Sequence, residues 1–107
     1  MRLTSEFRVK ALIRRVHDAG GSAMILARGD AMGGAVLAIA QVPGAPPRAL
    51  ERGLGDGGLI AAGPAEADDS ALLDYWRRRR ARDPDLWVVE VIVADAERFV
   101  AETIAAD

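Results

Sequence analysis

The sequence predicts an α+β fold in which helices pack on a four- to five-stranded antiparallel sheet, in the order α-β-β-β-β-α-β-α. Three observations carry that prediction. Apolar residues recur at helical spacing near the start, in the third quarter and at the end of the chain. Short β-branched or alternating apolar segments occupy the stretches between, and glycine or proline clusters punctuate them. At 107 residues the chain has the length of one domain, residues 1–107, and its 50% hydrophobic content is enough to offset the ordering entropy of folding.

From Thr4 to Ala19, Val9, Leu12, Ile13 and Val16 form an apolar stripe opposite Lys10, Arg14, His17 and Asp18. Thr4 or Ser5 can cap this helix, Glu6 suits its positive end, and Gly20-Gly21 supplies the stop. Those caps outweigh a strand reading of Phe7, Val9, Ala11 and Ile13. Ser22 to Ala27 and Ala35 to Val42 are read as a hairpin across Arg28-Gly29-Asp30-Ala31-Met32-Gly33-Gly34. In the second strand Leu37 and Ile39 share one face and Val36, Ala38 and Val42 the other, so it is expected to be central and covered on both sides.

Pro43-Gly44-Ala45-Pro46-Pro47 is a rigid connector. A second hairpin at the sheet edge is expected from Arg48 to Leu54 and Leu59 to Ala62, turning at Gly55-Asp56-Gly57-Gly58. Asp68-Asp69-Ser70 opens a helix with Leu72, Leu73, Tyr75 and Trp76 inward, and Pro84 ends it. Leu86 to Val93 is the strongest strand, with Trp87, Val89, Val91 and Val93 on one face and Leu86, Val88, Glu90 and Ile92 on the other. Asp95 is expected to cap a last helix that buries Phe99, Val100 and Ile104.

The composition excludes several function classes. A net charge of −2 gives no long-range field for gathering nucleic acid or anionic lipid. With no cysteine and one histidine, there are no disulfides, thiolate nucleophiles or zinc-type ligand sets. The start Met1-Arg2-Leu3-Thr4-Ser5-Glu6 lacks the apolar stretch of a signal peptide, and the run Ala35 to Ala40 is far short of a bilayer span, so a cytoplasmic protein is expected.

Arg77, Arg78, Arg80 and Arg82, beside Tyr75 and Trp76, are the candidate partner or nucleic-acid surface. Four successive helical positions point around the circumference, however, and the run complements the negative helix end, with Asp74 placed to pair with Arg77 and Arg78. Nucleic acid is therefore disfavoured. Arg79 falls on or beside the apolar stripe, where a stacked guanidinium or a buried ion pair is expected, with Asp83, Asp85 or Glu90 as the candidate partner. Those carboxylates could equally project into a cleft, but Pro84 and Trp87 are framework residues, so Asp83, Pro84, Asp85 and Trp87 are read as a structural corner.

The Arg28-to-Gly34 loop offers glycines for an anion nest, but it joins strands and the only lysine is Lys10, so a turn with a salt-bridged Asp30 is preferred. His17 lies on the polar helix face with no nucleophile elbow near it and reads as a solvated surface residue. Glu6, Asp30 and Glu51 are the carboxylates that a magnesium-dependent nuclease would need, although Glu51-Arg52-Gly53 lacks the acidic pair and lysine of such sites. No catalytic residue, cofactor or metal is expected.

Val9-Lys10-Ala11-Leu12-Ile13-Arg14-Arg15, then Arg28-Gly29-Asp30-Ala31 with Gly34-Ala35-Val36-Leu37, and finally Asp83-Pro84-Asp85-Leu86-Trp87-Val88-Val89-Glu90 together resemble the bacterial domain-of-unknown-function family 1491 over nearly the whole chain. The Asp-Pro-Asp-Leu-Trp stretch is the most distinctive piece. The resemblance implies a short stand-alone protein with this architecture, and it supplies no mechanism or catalytic residues. The residues themselves favour a protein-interaction or adaptor module, with self-association as a homodimer covering the two doubly apolar strands Ala35 to Val42 and Leu86 to Val93.

Overall fold

The computed structural model describes residues 3–54 and 58–105. Its elements are α1 (Ser5–Asp18), β1 (Ser22–Ala27), β2 (Val36–Gln41), β3 (Arg48–Arg52), β4 (Leu59–Ala62), α2 (Asp69–Arg82), β5 (Trp87–Ile92) and α3 (Ala96–Val100), which runs into a π-helical segment, Ala101–Ala105. The fold is α+β with the expected element order. Most of the turn expected at Gly55-Asp56-Gly57-Gly58 lies outside the described residues, which retain only Gly58, whose carbonyl accepts a hydrogen bond from the Gly53 amide.

Local chemistry sets the helix ends. The Thr4 hydroxyl accepts from the Phe7 amide at 3.1 Å and caps α1. At the other end Gly20 takes φ +83°, its amide bonding to the His17 carbonyl and that of Gly21 to Val16, a left-handed stop that satisfies two last-turn carbonyls. Asp68 caps α2 through the Ala71 amide at 2.8 Å. Asp95 behaves otherwise than expected. It occupies the N-cap position of α3 in the left-handed region, φ 56°, and makes no side-chain cap bond. Its backbone carbonyl receives the Arg98 and Phe99 amides instead.

The five strands lie in the order β1-β5-β2-β3-β4. All neighbours are antiparallel except β2 and β5, which run parallel from Val36 beside Trp87 to Gln41 beside Ile92. The hairpin expected between 22–27 and 35–42 is therefore corrected, because β5 lies between β1 and β2 and pairs with both. Burial explains the preference. β5 is apolar on both faces apart from Glu90 and gains from an interior position, whereas β1 exposes Ser22 and Met24 and tolerates an edge. Only β4 takes the other edge; β3 is interior, bonded to β2 and β4.

Alternation along the central strands divides the core in two. Val36, Ala38, Ala40, Trp87, Val89, Val91 and Val93 face Val9, Leu12 and Val16 of α1 together with Val100 and Ile104. On the reverse face, Leu37, Ile39, Ala49, Leu86 and Val88 pack with Leu72 of α2, flanked by Tyr75 and Trp76. The chain's own helices thus cover β2 and β5 on both sides. Among the described residues no helix is long and apolar enough to cross a membrane.

Candidate functional site: a basic cleft at the sheet end

Three segments far apart in sequence interlock beneath the site. The start of α1 spends its unpaired amides on the loop before β2, Ser5 donating to the Met32 carbonyl at 3.2 Å and Glu6 to Ala31 at 2.9 Å. The buried Ser5 hydroxyl donates to the Gly34 carbonyl at 2.5 Å. On the far side of the loop, the Asp30 amide bonds to the Asp85 carbonyl at 3.0 Å, and the Trp87 indole donates to the Asp30 carbonyl at 2.7 Å. Gly29 and Gly34 both pass so close that a Cβ on either would fall well inside 3.0 Å of the Asp85 oxygen. Glycine is required at both positions for that reason, with no positive φ involved.

The segment Asp83-Pro84-Asp85 forms a turn: the Asp83 carboxylate accepts from the Asp85 amide at 3.1 Å, and the Asp83 carbonyl from the Leu86 amide at 3.1 Å. Arg80 ties this corner to the loop, its Nη1 donating to the carbonyls of Arg28, Pro84 and Leu86. Arg28 stacks 5.4 Å from the Trp87 ring centroid and pairs with Glu6 at 3.2 Å, which also meets Lys10 at 3.6 Å.

The arginine run is thereby divided by environment. Arg77 lies over Trp76, 5.9 Å from the ring centroid, and Arg78 and Arg82 are exposed. Arg80 is half-buried, with its Nη1 engaged by the corner. Arg79 pairs with Glu51 of β3, correcting the expected choice among Asp83, Asp85 and Glu90. Strand alternation accounts for this, since Glu51 lies on the sheet face that carries Leu37 and Ala49 beneath α2. Desolvation works against the Arg79 charge, but hydrogen bonds to Glu51 and Tyr75 outweigh it and hold the guanidinium above its ordinary pKa.

The carboxylates Glu6, Asp30 and Glu51 do not converge. Glu6 serves Arg28 and Lys10, and Glu51 serves Arg79. Asp30 caps its own loop by accepting from the Gly33 amide at 2.9 Å, in place of the expected ion pair. Among the described residues, no three His, Cys, Asp or Glu side chains form a group able to hold a metal ion. His17 is exposed and reaches the Ala23 carbonyl at 3.2 Å.

Above the interlock, an open cleft of about 470 Å³ lies between the start of α1, the loop before β2, the end of β3, Arg79 and Ile104. Among the described residues its charged lining is Arg8, Arg52, Arg79 and Glu51. Leu3, Met32 and Leu54 complete its wall while remaining 47%, 72% and 97% exposed. Sequence reasoning did not find this cleft. Its residues come from five elements and the loop before β2, and no local pattern links Arg8 to Arg52 or Arg79.

These features define a class of small α+β protein in which a glycine loop is clamped between the first helix and the corner preceding the central strand. The chain belongs to the family described as protein of unknown function (DUF1491), whose model matches residues 3–101. It is similar to a DUF1491 family protein from Caulobacter crescentus CB15, at 32% identity. The crystal structure of that protein has a TM-score of 0.79, covering 99% of this chain and 100% of the other. The corresponding NMR structure gives 32% identity and a TM-score of 0.78, with 100% and 99% covered. A solution structure of an A. tumefaciens protein is 25% identical with a TM-score of 0.79, covering 100% and 97%. No curated protein matches the chain.

Proposed function

We propose that this DUF1491 member is a non-catalytic interaction module of the bacterial cytoplasm, and that its docking surface is the cleft at the sheet end. The occupant is a short segment of another protein carrying apolar and acidic side chains. The observation that carries this reading is the exposed apolar rim, Leu3, Met32 and Leu54, gathered at one cleft. Exposed apolar side chains gathered at one cleft favour contact with a partner. Arg8, Arg52 and Arg79 in the same lining are the groups that acidic side chains of such a segment would meet.

A photo-crosslinking side chain at Met32, followed by mapping of the captured segment and synthesis of that peptide, tests this. The expected result is an apolar and acidic peptide whose affinity falls about tenfold or more in Leu54→Glu. A basic segment, a second copy of the chain as the crosslinked species, or a peptide indifferent to Leu54→Glu would each overturn it.

A further inference from the structure

Among the described residues the sheet ends at β1 on one side and β4 on the other. We infer that the outer edge of β1 docks a second copy of this chain, the two β1 strands pairing antiparallel about a two-fold axis at Met24. This surface is separate from the cleft, which opens beside β2 and β3 with β5 between, and it does not depend on the docking reading above.

Hydrogen-bond phase decides which groups of β1 face outward. The Trp87 and Val93 amides donate to the Ala35 and Gln41 carbonyls at 2.8 and 3.1 Å, so the odd-numbered residues of β5 turn their backbone groups towards β2. Val91 and Val89 therefore face away from β1, and their register partners Ala23 and Ile25 face away from β5. The exposed His17 ring, with Nε2 3.2 Å from the Ala23 carbonyl, marks the same outward direction. Each of Ala23 and Ile25 thus presents its amide and its carbonyl at the edge. The bulge falls after Ile25, so both lie in the regular part of the strand. Ser22–Ala27 contains no charged residue and no proline, the side chains that ordinarily keep like edges apart.

The arrangement of these groups selects a second copy over other extended segments. A two-fold axis at Met24 sets Ala23 opposite the copy's Ile25, so every outward amide and carbonyl of the two residues meets a partner at once, and His17 yields the Ala23 carbonyl to the copy's Ile25 amide. The same axis lays the two Met24 side chains, each 54% exposed, directly against each other. Antiparallel pairing also carries the exposed Arg28 at one end of β1 towards the copy's exposed Asp18 at the other, which joins opposite charges on both sides of the axis.

The chain has no cysteine, so Met24→Cys introduces a single thiol. At a directly opposed position without ladder hydrogen bonds the Cα atoms lie about 4.5 Å apart, inside the disulfide range of about 4.4–6.8 Å. Mild oxidation of Met24→Cys is expected to give a disulfide dimer at least about tenfold faster than that of Ile60→Cys, whose position on β4 is also exposed. Sedimentation of wild type between about 1 and 200 μM is expected to show a reversible monomer–dimer equilibrium. Ala23→Pro removes an outward amide that a solitary edge does not need, and is expected to weaken the dimer at least about tenfold as two ladder hydrogen bonds are lost. Backbone amide spectra show whether that variant keeps the fold, and should it not, the two oxidation rates still decide. Wild type that stays monomeric at about 200 μM, equal oxidation rates at Met24→Cys and Ile60→Cys, or a folded Ala23→Pro that dimerises like wild type would each overturn the inference.

Discussion

Replacing Gly34 by alanine tests the interlock that supports the cleft. The new Cβ would lie well inside 3.0 Å of the Asp85 carbonyl oxygen and within 3.1 Å of Asp30 backbone atoms, none of which is the movable end of a side chain. Relief requires the loop and the corner to separate. Overpacking of this kind costs about 1–3 kcal/mol. Separation also threatens the Asp30 amide bond to Asp85 and the Ser5 hydroxyl bond to Gly34, each worth about 1 kcal/mol. A loss of about 3–5 kcal/mol follows, or about 12 °C or more in Tm for a domain of this size. Gly33 is the internal control: no atom lies within 4 Å of its Cβ position and its φ is not positive. Gly33→Ala should leave stability within about 1 kcal/mol. Urea titrations of both variants, compared at equal m-value, make the measurement. If Gly34→Ala loses less than about 1 kcal/mol, or Gly33→Ala loses as much as Gly34→Ala, the clamped-loop account is wrong.

Arg80→Met, which strips the corner of its donor to three carbonyls, should destabilise by about 2 kcal/mol, while Arg78→Met on the exposed face stays within about 0.5 kcal/mol; thermal melts of the pair decide whether the run is divided as described. Arg77, Arg78 and Arg82 replaced together by alanine should leave the fold intact, and the protein should not be retained on DNA at low salt with or without them; retention of wild type that the triple variant abolishes would revive nucleic-acid binding. The Arg15 hydrogen bond, followed by the charges of Arg98 and Arg15, holds the Glu102 carboxyl below its ordinary value of 4.5. Because the folded pKa is the lower one, this contribution is fully present above the unfolded value and fades as pH falls through the folded one, which a carboxyl-carbon NMR titration of wild type and Arg15→Gln will show as an upward return. Asp95→Gly should stabilise by about 0.5–1 kcal/mol in chemical unfolding, since it relieves a left-handed residue that makes no side-chain cap bond.

Local signals carried the sequence far. Helix spacing, the caps at Thr4 or Ser5 and at Asp68-Asp69-Ser70, the Gly20-Gly21 stop and the alternation that sets Leu37 opposite Val36 and Trp87 opposite Leu86 depend on residues within a turn or two of each other, and they reappear in the structure. The same alternation marked the strands now called β2 and β5 as central. Asp95 misled because its side chain suits an N-cap while the chain enters α3 in a left-handed conformation that composition does not reveal.

Pairing and partners were decided elsewhere. A glycine-rich loop of seven residues serves a hairpin and a crossing equally well, so nothing within 22–42 announces that β5 inserts between β1 and β2. Arg79 finds Glu51, 28 positions away, and not the acids beside it, because the face of the sheet beneath α2 is set by packing. The cleft is legible only once Arg8, Arg52 and Arg79 are gathered at one end of the sheet. Sequence by itself thus determined the elements and which of their faces are apolar, since those follow from short-range spacing. Tertiary structure decided which strands are neighbours and which charges meet, because both depend on how the doubly apolar strands β2 and β5 are placed inside the sheet.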